Sequence, residues 1–69
     1  MMGLSEYIGK IVKSKKEELG LSRYELERRS GISYNQIMNI ERGESTTTRV
    51  LDKLFDLLGL EVIIRDKEI

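Results

Sequence analysis

Tyr34, Asn35, Gln36 and Asn39 crowd into one short stretch, "GISYNQIMNIERGE" at residues 31–44, around very few apolar positions. A carboxamide presents a hydrogen-bond donor and an acceptor side by side, which matches the exposed edge of adenine. Acid–base, thiol and soft-metal chemistry have no comparable footing. Cys is 0 and His is 0, so the usual bases, nucleophiles and zinc ligands are missing. Carboxylate pairs such as Glu17 and Glu18 fall on exposed helix positions, and there is no Gly-rich phosphate loop. The residues therefore point to recognition rather than catalysis, with no cofactor and no metal.

Helical periodicity covers most of the chain, and it must position that stretch. A first helix is expected from residue 4 or 5 to 18, with Leu4, Ile8, Ile11 and Val12 on one face and Gly20 as the stop. A second helix begins at "SRYE", where Ser22 caps and Glu25 completes a capping box; it buries Leu26 and ends near Arg29. "SGI" makes the turn, because Gly31 tolerates the left-handed backbone such a corner uses. A third helix repeats the signal with "SYNQ". Ser33 caps it, Gln36 completes a second box, and Arg42 and Gly43 close it. Ile37 and Ile40 form a narrow apolar stripe, with Ile32 as the staple before the cap. Most of that helix must face outward.

"ESTTT" is a loop with Thr47 or Thr48 as the next cap. A fourth helix follows over residues 49–58, burying Leu51, Leu54, Phe55 and Leu58. The tail "LEVIIRDKEI" changes to a period of two, with Leu60, Val62 and Ile64 on one side, which is a strand signal. A single strand is not stable alone, so the expected partner is the same strand of a second copy. The division is thus residues 1–59 as a helical domain and residues 60–69 as a dimerisation tail.

Composition bounds this reading. A chain of 69 residues makes one small domain with a thin core, and without disulfides or metals oligomerisation is the remaining support. The missing cysteines fit a reducing cytosol, and neither a membrane span nor a signal peptide is visible. Twelve basic and 12 acidic residues cancel, which argues against indiscriminate polyanion binding. Their distribution is uneven: residues 1–42 carry 8 basic and 6 acidic side chains, and residues 43–69 carry 4 and 6. Lys10, Lys13, Lys15 and Lys16 read as a solvated helix face, and Tyr7 and Tyr24 as rim packing.

Two short capped helices joined by a tight Gly turn make a helix-turn-helix, whose second helix enters the major groove. From Ile8 to Leu60 the chain resembles the phage-repressor, Cro and XRE-type helix-turn-helix family, through "IGKIVKSKKEELGLSRYEL", "SGISYNQIMNIERGE" and "LDKLFDLLGL". The resemblance implies an all-α, compact, lambda-repressor-like bundle of four or five helices that binds double-stranded operator DNA as a homodimer, with a short C-terminal β-strand here. It implies base reading by Tyr34, Asn35 and Asn39, with Met38 near a thymine methyl. Gln36 either joins them or serves only as a cap. Ser33 and Arg42 match backbone-contacting places, and Lys16 with Glu41 a structural ion pair. Arg23 stands where the family usually has Gln, and as a cation it would grip phosphate. Glu44 replaces a common basic residue, and the loop lacks the usual Asn-Pro, so Thr46, Thr47 and Thr48 either cap or donate to phosphate.

The ending "LGLEVIIRDKE" resembles the HipB-like antitoxin subgroup, whose strands pair across the dimer. The expected function is a sequence-specific transcriptional regulator of repressor type, cytoplasmic and nucleoid-associated. The alternative is an antitoxin or antirepressor whose main act is to bind a protein such as a toxin.

Overall fold

The computed structural model describes residues 3–67, which form four helices: α1 (Leu4–Glu18), α2 (Arg23–Ser30), α3 (Tyr34–Glu41) and α4 (Thr48–Leu58). The architecture is all-helical. α3 packs against α1 and α2, and α4 closes the bundle against the same two helices. Val12, Leu26, Ile32, Ile37, Ile40, Leu54 and Leu58 are the buried core, and Ile8, Leu21, Val50, Phe55, Leu57 and Leu60 pack around it.

Local chemistry sets the boundaries. Ser22 Oγ accepts from the Glu25 N–H while Glu25 accepts from the Ser22 N–H, both at 3.1 Å, so the α2 capping box is complete. α2 ends at Gly31, whose φ of 77° is open to glycine and costly for a side chain. The turn is then held by Ser30, whose hydroxyl donates to the Leu26 carbonyl and accepts from the Ile32 N–H. That pins Ile32 into the core immediately before α3.

Three local expectations are corrected. The second capping box is only half formed: Ser33 Oγ accepts from the Gln36 N–H at 3.2 Å, but the Gln36 amide donates to Thr46 Oγ1 at 3.4 Å instead of turning back. The loop after α3 lies close enough to compete for it. α4 starts at Thr48 rather than 49, because Thr47 is the cap and accepts from the Val50 N–H. Leu4 and Leu51, expected inside, are exposed and half-buried respectively. Leu4 sits on the first turn of α1.

The expected C-terminal strand is not formed among the described residues: 60–67 carry no regular structure. A single chain offers this segment no neighbouring edge, so its period of two has no ladder to join. Leu60 is tied down by other means. Its N–H donates to the Phe55 carbonyl at 2.8 Å and the Gly59 N–H to that of Asp56, a Schellman ending that folds Leu60 onto the core. Residues 68 and 69 of the tail lie outside the described residues.

Candidate nucleic-acid interface

The eight residues of α3 divide by angle around the helix. Ile37 and Ile40 point inward and are almost fully buried. Asn35, Asn39 and Arg42 lie at i, i+4 and i+7, along one strip of the surface. Asn35, Arg42 and the cap Ser33 are exposed, while Tyr34, Gln36, Met38 and Asn39 are half-buried. The polar strip is thus turned to solvent, with two isoleucines fixing it from behind.

Beneath it lies an ionic cluster. Lys16 Nζ of α1 donates to Glu41 Oε1 at 2.7 Å and Oε2 at 3.1 Å, and Arg23 Nε of α2 donates to Glu41 Oε2 at 3.0 Å. The Glu41 side chain is only 2% exposed. Burial opposes its ionisation, but the hydrogen bonds from Lys16 and Arg23 win, so its carboxyl is held below the ordinary carboxylate value. Three helices therefore meet at one carboxylate in the last turn of α3. Arg23 is raised in turn, chiefly by Glu41 and then by Tyr34, and stays charged. Its Nε is committed to Glu41, and the remaining guanidinium N–H groups are the ones a phosphate can meet.

Sequence reasoning missed three features here. Tyr34 is not free-standing: its ring lies 4.9 Å from that of Tyr24, tilted by 40°, with the Arg23 guanidinium carbon 5.8 Å from its centroid. The ring is therefore braced between α2 residues. Glu27 of α2 accepts from the Tyr34 N–H at 2.8 Å, so a carboxylate already occupies the first amide of α3. With Ser33 holding the Gln36 N–H, this end of α3 is poorly open to a phosphate. No pattern of spacing within one helix announces a bond from Glu27 across the turn.

The third is Gly9. A Cβ there would run into the Ile40 carbonyl oxygen and lie 3.1 Å from that of Glu41. α1 thus touches the backbone at the end of α3, which a helix-interior glycine hinted at without saying where. Val62 and Ile64, expected in a dimer interface, stand exposed, whereas Leu60 packs on its own bundle.

Among the described residues no helix is long and apolar enough to cross a membrane. A helix-turn-helix family model matches residues 12–63, about three quarters of the chain. No curated protein matches it.

Proposed function

The chain belongs to the XRE-type helix-turn-helix family of DNA-binding transcription regulators, and from that premise we propose that it is a repressor that reads a near-palindromic operator as a homodimer. The supporting observation is the strip of Asn35, Asn39 and the C-cap Arg42, exposed at Asn35 and Arg42 and half-buried at Asn39, with Ile37 and Ile40 buried behind it. Two such helices enter successive major grooves about 34 Å apart. Asn35 and Asn39 read base edges, and Met38 meets a thymine methyl. Tyr34 contributes the accessible part of its braced ring. Gln36 belongs to the same end of the helix, although its amide is shared with Thr46. Arg42, Ser33 and the free side of Arg23 hold phosphates. Glu27 makes these side chains, rather than the α3 N-terminus, the better anion ligands. Bound at a promoter, the protein excludes polymerase, and DNA is what places it in the nucleoid.

Asn35→Ala should lower affinity for the preferred duplex by about 1–3 kcal/mol and relax the preference at one base pair, with nonspecific binding little changed. Competition binding against duplexes altered at each position reads this. Equal loss on every sequence would make Asn35 a backbone contact instead.

Residues 60–69 serve as the dimerisation tail, with Leu60, Val62 and Ile64 as its apolar side. Removing residues 61–69 keeps Leu60, which covers the core, and should leave a folded monomer that still binds a half-site weakly. Sedimentation of the truncated chain tests this, and a truncated dimer would reject the assignment. The tail also suits a protein partner such as a toxin. Capture of one stoichiometric partner by a chain that retains no DNA would favour that second role.

A further inference from the structure

Tyr24 and Tyr34 make a pair that the core does not require. Tyr24 lies on the first turn of α2 and is 71% exposed, and Tyr34 opens α3 half-buried. Their rings meet at 4.9 Å between centroids, tilted by 40°. The contact restricts both side chains and still leaves most of Tyr24 in water, so fold stability is a poor reason for it.

α2 holds Tyr34 at three points. Glu27 fixes the backbone by accepting from its N–H at 2.8 Å. The Arg23 guanidinium carbon stands 5.8 Å from the ring centroid, and Arg23 is itself tied to Glu41. With the backbone fixed, two side-chain torsions still decide where the phenol points. Tyr24 bears on those torsions, because its ring occupies space into which the Tyr34 ring would otherwise swing.

We propose that Tyr24 is a positioning residue for base recognition: by holding the Tyr34 ring in one orientation, it sharpens the choice at one base pair of each half-site. This rests on the reading that Tyr34 faces the duplex, and it assigns the sharpness of that contact to a residue of the other helix. A loose ring turns away from a wrong base and finds other contacts, so the wrong duplex loses little. A braced ring keeps its place, and a base that does not fit it is rejected by the clash or the gap. Tyr24 does this without touching DNA. Asn35 and Asn39 are not part of the pair, so the choices they make are indifferent to it.

Competition binding with duplexes altered at each position compares the full-length parent with Tyr34→Ala, Tyr24→Ala and Tyr24→Phe. Tyr34→Ala identifies the base position concerned. There, Tyr24→Ala should lose about threefold to tenfold in discrimination, the range an aromatic pair supports. Preferences at other positions should hold within about twofold. Tyr24→Phe keeps the ring and should keep the preference. The variant with both alanines should choose no more loosely than Tyr34→Ala alone, since the brace then has no ring to hold. Thermal unfolding of Tyr24→Ala should stay close to that of the parent, because so exposed a side chain leaves no cavity behind. Full discrimination by Tyr24→Ala at the position that Tyr34→Ala relaxes overturns the proposal. Equal weakening on every duplex also overturns it, because that marks a phosphate contact or a general loss of structure. Should Tyr34→Ala relax no position, the underlying reading of Tyr34 as a base contact fails instead.

Discussion

Glu41→Ala is expected to remove about 3–5 kcal/mol of folding stability, because it leaves the Lys16 ammonium buried with its partner gone. Lys16 is only 9% exposed, and the two side chains meet at 2.7 Å, so little water can take the place of the carboxylate. A domain of this size has about 3–10 kcal/mol in total, so the variant stands near the edge of folding. Replacing both ends, as Lys16→Met with Glu41→Leu, should cost less, since the two buried charges leave together and Arg23, whose side chain is 29% exposed, can turn its freed Nε–H to water. Urea unfolding of the three proteins measures this. A single variant as stable as the parent would show that the pair adds nothing.

The same cluster fixes the sign of a pH effect. Glu41 is held below its ordinary value of 4.5, so its contribution is fully present above that value. It is lost as pH falls through the depressed folded-state value, when the native carboxylate must take up a proton. Parent stability should therefore drop at acid pH more steeply than that of the double variant. DNA binding should weaken with it. Arg23 is oriented by the same carboxylate, so losing Glu41 also loosens the proposed phosphate contact.

Gly9→Ala should destabilise the fold by about 2 kcal/mol, although alanine in a helix is ordinarily worth about 0.5–1 kcal/mol over glycine. The added Cβ would run into a backbone carbonyl, that of Ile40, which cannot rotate away as a side-chain tip can. Either α1 moves off α3 or the last turn of α3 shifts, and that turn carries Glu41 and leads to Arg42. Thermal unfolding reads the first effect and specific DNA affinity the second. A more stable variant would mean that helix propensity outweighs the clash and that the two helices are not held together there.

These two sites also show what the order of residues discloses. Ser22 with Glu25, Ser33 and Gly31 act within a few residues of themselves, so their roles were readable and the helix bounds fell almost where expected. Leu26, Ile37, Ile40, Leu54 and Leu58 followed from period alone. Gly9, Glu27 and the Tyr24–Tyr34 pair work across separate helices, and no local spacing encodes which helix will arrive. Gln36 has two acceptors within reach, and the loop brought the second one. The tail has a clear period of two, but a strand needs an edge that one chain does not hold. For the interface, the amide strip was legible because only two isoleucines were available to face inward. The bracing of Tyr34 was not.

The proposal that α3 reads bases is tested most directly by selection from random duplexes with the purified full-length chain at low salt, repeated with Asn35→Ala. The expected result is one enriched near-palindrome with half-sites a helical turn apart, in which the variant loses preference at a single symmetric position. Retention of no duplex, or an enriched sequence that the variant selects unchanged, would contradict it.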